Sequence, residues 1–162
     1  MNDLGTLTQQ GDDVTVTFVR HLPHPVDKVW RAVTEPEHLA AWFPGTVSVD
    51  EWRAGAPLRF TVETGDSFEG EVVAVEHERL LELLWGADRL RIELEPHDDG
   101  TTTLTFADTF GELGKAARDG AGWHVCLARL AAELDVPAWQ DVHPRYVERF
   151  GPEAATIGPP ES

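Results

Sequence analysis

The chain has 162 residues, 41% of them apolar and 26% charged, a balance that fits one soluble globular domain able to bury its own core and excludes a disordered or membrane-embedded chain. Asp plus Glu number 29 against 13 Lys plus Arg, and the resulting net charge of −16 repels phosphate backbones and anionic lipid headgroups. Nucleic acid and membrane surfaces are therefore not expected as partners; solubility is the simplest role for the charge.

The elements are expected in the following order. A polar leader covers residues 1–13. From Val14, "VTVTFVRHL" alternates apolar and polar residues with β-branching, the signature of a half-buried strand. "HPVDKVWRAVT" then changes period: Val26, Val29, Trp30 and Val33 share one helical face, and Pro25 suits a first turn. Pro36 ends that helix, and "EPEHLAAWF" forms a second short one, stopped by Pro44-Gly45. From Val47 to Asp108 the chain reads as strands: 58–62, 67–76, 80–85, 89–95 and 101–108. Turns at Thr64-Gly65-Asp66, His77-Glu78-Arg79, Gly86-Ala87-Asp88 and Asp99-Gly100 separate them, and loops this short make the strands antiparallel neighbours. Their apolar face carries Leu58, Phe60, Val62, Leu90, Ile92, Leu94, Leu104 and Phe106, and it needs a cover. Residues 120–134, "GAGWHVCLARLAAEL", supply it through Trp123, Leu127, Leu130 and Leu134, with Asp119 as N-cap. "AWQDVHPRYVERFG" adds an amphipathic segment that could pack on the sheet's edge or on another subunit, so a homodimer stays open. Residues 151–162 are expected to be loose.

The single cysteine, Cys126, excludes an internal disulfide and gives no support to a cysteine-based zinc site. The first residues carry no basic start or apolar run of signal-peptide length, and no stretch of about 18 apolar residues occurs. A cytoplasmic location is the expectation.

The string strand, two short helices, long antiparallel meander and final amphipathic helix argues an α+β fold. The stretches "PVDKVWRAVTEPEHLAAWF", "FEGEVVAVE", "LLELLW" and "GAGWHVCLARLAAEL" also resemble the activator-of-heat-shock-protein-90-ATPase homologue family, a branch of the SRPBCC, START-like superfamily. The resemblance covers roughly residues 14–150, taken here as the single domain. It implies a helix-grip fold: a curved antiparallel sheet of about seven strands wrapped around a long C-terminal helix, with two short helices closing one end. It also implies a deep, largely apolar cavity between sheet and helix.

Two readings compete for Trp42 and Phe43, placed directly before the Pro-Gly break: they plug the core's end or they wall a pocket. The aromatic set Trp30, Trp42, Phe43, Phe60, Phe68, Trp85, Phe106, Phe110 and Trp123 is dense for so small a core, and wide rings are hard to pack without voids. The ligand-binding candidates are Trp42, Phe43, Phe60, Trp85, Phe106, Asp108 and Trp123. Asp108 shares parity with Leu104 and Phe106, so an unbroken strand points it inward, where an unpaired carboxylate is costly. The plainer alternative ends the strand there and lets Asp108 bond its own turn. Relatives in the family often carry histidine near this point, and this chain does not.

His124 and Cys126 lie two apart on a helix and point in directions about 200° apart, so they cannot form a thiol-imidazole pair. Cys126 reads as a small buried hydrophobe. Glu69 and Glu71 share one side of a strand, read as solvent-facing. No HExxH, Gly-rich phosphate loop or G-x-S-x-G occurs, so no catalytic residue, metal or cofactor is assigned. The functional expectation is a cavity holding a small apolar or aromatic ligand. The alternatives are a chaperone-interacting regulator, which the family name implies, and cyclase- or hydrolase-like chemistry in the same cavity.

Overall fold

The structure is a computed structural model and describes residues 4–62, 64–131 and 139–157, without the side chains of 139–141. Eight strands form one antiparallel sheet: β1 (Thr6–Gln10), β2 (Asp13–Leu22), β3 (Thr46–Ser48), β4 (Pro57–Thr61), β5 (Ser67–Glu76), β6 (Leu80–Trp85), β7 (Asp88–Pro96) and β8 (Thr102–Phe110). Their spatial order is β1-β2-β8-β7-β6-β5-β4-β3, so β3 to β8 run as a meander and β8 then pairs with β2. The helices are α1 (Val26–Thr34) and α2 (Pro36–Trp42) after β2, α3 (Ala116–Leu130) after β8, and α4 (Trp139–Phe150). This is the α+β helix-grip architecture, a curved sheet holding a long helix near the C-terminus.

Local chemistry explains the helix boundaries. Pro25 is extended and stands just before α1 as its N-cap, not within the first turn. Glu35 is also extended, as a residue preceding proline must be, which separates α1 from α2 and lets Pro36 open the second helix. The inward positions of β2, β7 and β8 alternate strictly between buried and less buried residues, so one face of the sheet is dry.

Four differences from the sequence-based expectation bear on the site. The polar leader contains β1: Leu7 pairs with Val16, and Gly11, in the left-handed region, makes the connection tight. A Thr- and Gln-rich strand of this kind suits a sheet edge, where it needs only one partner, and it raises the strand number from about seven to eight. Asp88, expected in a turn, is instead the first residue of β7 and pairs with Trp85, leaving Gly86-Ala87 as the two-residue connection with Gly86 at φ 58°. Strand β8 runs on to Phe110, past the expected end at Asp108. Helix α3 begins at Ala116, after a 3₁₀ turn at Leu113–Lys115, so Asp119 lies inside the first turn and is not the N-cap. Alanines at 116 and 117 favour helix, and an acid in the first turn suits the helix dipole. Leu134, the expected end of the stripe, lies outside the described residues, as do the leader's first three residues and the tail beyond 157.

Helix α3 is buried on nearly every side because it is sandwiched between the sheet and α4. Gly120 permits this close approach: a Cβ there would already touch the Tyr146 and Phe150 rings at 3.4 Å. Tyr146 is fully buried; its hydroxyl accepts the Gly5 backbone N–H at 2.7 Å and lies 3.1 Å from His124 Nδ1, tying α4 to the N-terminal segment and to the back of α3. At the chain's end, Pro152–Ala155 forms a 3₁₀ turn and Ala154 is buried, although this segment was expected to be loose. Within the chain, α4 packs on α3.

Candidate functional site: an aromatic cleft with an acidic corner

The seven candidate residues divide into four core rings, two tryptophans that line a cleft, and Asp108 behind them. Trp42, at the end of α2, is buried and its indole N–H donates to the Ala32 carbonyl at 2.9 Å. Phe43, buried beside it, packs its ring 5.0 Å from Trp85 and 5.6 Å from Trp123. Phe60 and Phe106 are fully buried, 4.6 Å from Trp85 and 4.7 Å from Trp123 respectively. All four are core rings: Phe43 meets Trp42 and Phe60, while Phe106 lies against Trp123. The Pro-Gly break therefore follows a buried plug.

Trp85 and Trp123 stand in front of these rings. Their rings, 6.0 Å apart, line an open cleft of about 600 Å³ together with Phe68, Pro44, Gly122 and Cys126. The cleft lies between the β6–β7 hairpin and the first half of α3, at the mouth of the grip rather than deep between sheet and helix. Trp85 and Phe68 are half-buried, with ring centroids 4.7 Å apart, so each presents apolar surface to solvent. Gly122 leaves room: a Cβ placed on it meets no atom within 4 Å.

The polar end of the same cleft is made of Asp88, Lys115, Arg118 and Asp119. Behind them stands Asp108, which is fully buried and faces inward on β8 opposite Leu90, two residues along β7 from Asp88. It does not bond its own turn; the continued strand holds it inside. The Trp123 indole N–H donates to Asp108 Oδ2 at 2.9 Å, while Oδ1 has no conventional partner. One carboxylate oxygen from each of Asp88, Asp108 and Asp119 lies within 4.8 Å of the others. Burial first, and then the charge and hydrogen bond of Asp88, push Asp108 up to about 9, against the indole's opposing pull. At neutral pH Asp108 is thus favoured as the neutral carboxylic acid, because a second charge beside Asp88 in a dry site is costly.

Lys115 completes the corner. Its ammonium lies 2.8 Å from Asp88 Oδ1, 3.7 Å from Asp119 Oδ2 and 4.9 Å from the Phe110 ring centroid. Burial alone would lower its pKa, but the bond to Asp88 and the surrounding carboxylates hold it above the ordinary value. Arg118 Nε donates to Asp119 Oδ1 at 2.9 Å. With Asp108 neutral, two carboxylates face two cations. The three acids could hold a cation by spacing, yet the lysine ammonium already fills that role.

Cys126 touches the cleft, but burial pushes its thiol up to about 11, so it is a poor nucleophile at neutral pH. His124 faces Tyr146 on the opposite side of α3. Asp88, Lys115, Asp119 and Gly122 were not among the expected site residues. The available signal was the parity of Asp88 with Leu90 and Ile92, which a one-residue extension of β7 brings inward.

Comparison with known proteins agrees with this architecture. No curated protein sequence matches the chain. Among solved structures, a conserved protein of unknown function from Enterococcus faecalis, EF2215, superposes with a TM-score of 0.78 at 19% identity, covering 90% of this chain and 89% of that one. CalU16 from Micromonospora echinospora gives a TM-score of 0.69 at 19% identity, covering 90% and 95%. DynU16, a protein in the dynemicin biosynthetic locus, is 33% identical with a TM-score of 0.64; the match covers 86% of this chain and 49% of DynU16, so this chain spans about half its length. Residues 23–135 match the family described as activator of Hsp90 ATPase homolog 1-like protein, and they carry α1, α2, every strand of the meander and α3: the chain belongs to that family.

Proposed function

We propose that this protein binds a small apolar or aromatic molecule in the cleft between the β6–β7 hairpin and α3. The observation that carries the reading is the open cleft of about 600 Å³ walled by Trp85 and Trp123 and backed by buried core rings. That volume lies within the usual range for small-molecule sites, and apolar walls with a few convergent polar groups are their common composition. Affinity would come from removing ligand surface from water, at about 25 cal/mol per Å², on walls that do not need to reorganise. Trp85 and Trp123 would hold the ligand's flat faces, with Trp42, Phe43, Phe60 and Phe106 as rigid backing.

Equilibrium dialysis against a panel of polycyclic aromatic and lipid-like compounds tests this, with tryptophan fluorescence as a second readout. At least one class should bind at micromolar concentration, and Gly122→Phe, which fills the cleft from an unobstructed position, should abolish binding while leaving the far-UV spectrum unchanged. Binding undiminished in that variant would move the ligand elsewhere, and no binding by any class would end the proposal. The family description favours a second reading, regulation of a chaperone ATPase. Under it, the added protein changes the chaperone's ATP turnover, and an unchanged rate with no capture in a pull-down excludes it.

A further inference from the structure

The polar end of the cleft is more specific than its aromatic walls. Several donors there are already engaged: Lys115 is directed at Asp88, Asp119 and the Phe110 ring, Arg118 Nε at Asp119, and the Trp123 indole N–H at Asp108. Acceptor capacity remains on Asp88. A carboxylate offers about four lone-pair positions, and Asp88 uses one for Lys115. The rest of Asp88 borders the cleft. Asp108, fully buried behind it, has one carboxylate oxygen without a hydrogen-bond partner among the described residues. Lys115 holds Asp88 in place by the bond to Oδ1.

We propose that Asp88 is the polar anchor of the cleft and selects neutral aromatic ligands that present an O–H or N–H donor. The proposal rests on the reading that the cleft binds small aromatic molecules. Anions are disfavoured because the Asp88 and Asp119 carboxylates at the cleft repel them and the whole chain carries a charge of −16. A cation gains little locally, because Lys115 and Arg118 already balance Asp88 and Asp119. A neutral donor keeps its apolar ring on the tryptophans and adds a hydrogen bond to a charged acceptor in a partly dry site.

The test uses two probes of nearly equal shape, 2-naphthol and 2-methylnaphthalene, by equilibrium dialysis with the full chain at neutral pH. Purely apolar walls favour the methyl compound. An Asp88 anchor reverses that order and makes naphthol the tighter ligand by about tenfold or more, the effect of one hydrogen bond to a charged group. Asp88→Asn should bring the ratio to one or below. Asp108→Asn, whose amide can donate to Asp88 as the acid does, should keep the preference. A side-chain carboxyl ¹³C resonance assigned to Asp88 should move with naphthol and stay still with methylnaphthalene, a readout that needs no variant. Equal or tighter binding of methylnaphthalene by the wild type, or an unmoved Asp88 resonance, would overturn the anchor while leaving the cleft reading intact. If neither probe binds, the anchor falls, and the wider panel decides the cleft reading.

Discussion

The rings behind Trp85 and the carboxyls behind Asp88 fill equivalent positions, one backing the apolar wall of the cleft and the other its polar end, and they are held by opposite physics. Phe43, Phe60 and Phe106 are fixed by contact: burial and ring-on-ring packing cost them nothing in unmet hydrogen bonds. Asp108 is equally buried but is tolerated only because a proton, an indole N–H and a neighbouring carboxylate compensate it. The first kind of support makes the molecule stable. The second keeps a polar group in place and costs stability, a pattern more typical of a site than of a core.

This contrast can be broken by mutation, and the expected effects run from large to small. Phe60→Ala removes a fully buried ring stacked among Phe43, Phe68 and Trp85, and should lower unfolding stability by about 3–5 kcal/mol in urea titration. A loss below about 1 kcal/mol would mean that the plug is not close-packed. Asp108→Asn should act in the other direction. The folded protein holds the Asp108 proton up to about pH 9, whereas an unfolded chain releases it near pH 4. Between those values the unfolded state binds fewer protons, so this group makes stability fall as pH rises, and its favourable share is complete only below about pH 4. Asparagine removes the titration and can keep both hydrogen bonds. The variant should thus gain up to a few kcal/mol at pH 7–8 and show a flatter stability profile from pH 5 to 9. A profile parallel to the wild type's would show that Asp108 is ionised at neutral pH.

Trp85→Ala separates wall from plug. The residue is half-buried, so its loss should cost about 2 kcal/mol, less than the Phe60 change, but should remove most aromatic-ligand binding. A large stability loss with binding retained would reverse the roles assigned to the two rings. The smallest effect is expected at Gly122, within α3 and with open space around its missing side chain. Gly122→Ala should raise stability by about 0.5–1 kcal/mol, seen as a modest increase in melting temperature. Destabilisation would mean that the cleft closes on that position.

Much of the fold was legible because its signals are local. The strands at 67–76 and 80–85, the breaks at Pro36 and Pro44, and the stripe through Trp123 and Leu127 each follow from period and punctuation within a few residues. Strand β1 was not, since "TLTQQ" has too little apolar contrast to declare a face, and it becomes a strand by pairing with β2. The site was half legible for a related reason. Parity put Asp108 on the inner face, but the cost of burial argued for a turn, and the groups that offset that cost, Trp123 and Asp88, are 15 and 20 positions away in the chain. Asp88 was hidden by a one-residue difference in where a hairpin turn ends, enough to move a side chain from rim to interior. Which aromatics plug and which line depends on where packing runs out, and that is a property of the assembled sheet and helix.

One contact far from the cleft has a consequence for it. The hydroxyl of Tyr146 joins Gly5, His124 and α4 in a single fastening behind the helix whose other side carries Trp123. Tyr146→Phe would keep the ring but remove the hydroxyl that meets Gly5 and His124, leaving the Arg149 Nε–Gly5 carbonyl bond to tie α4 to the N-terminal segment. Movement of α3 would then reach the Trp123 indole, which lines the cleft. The two ends of the chain thereby brace the mouth from outside, as a strut braces a door frame.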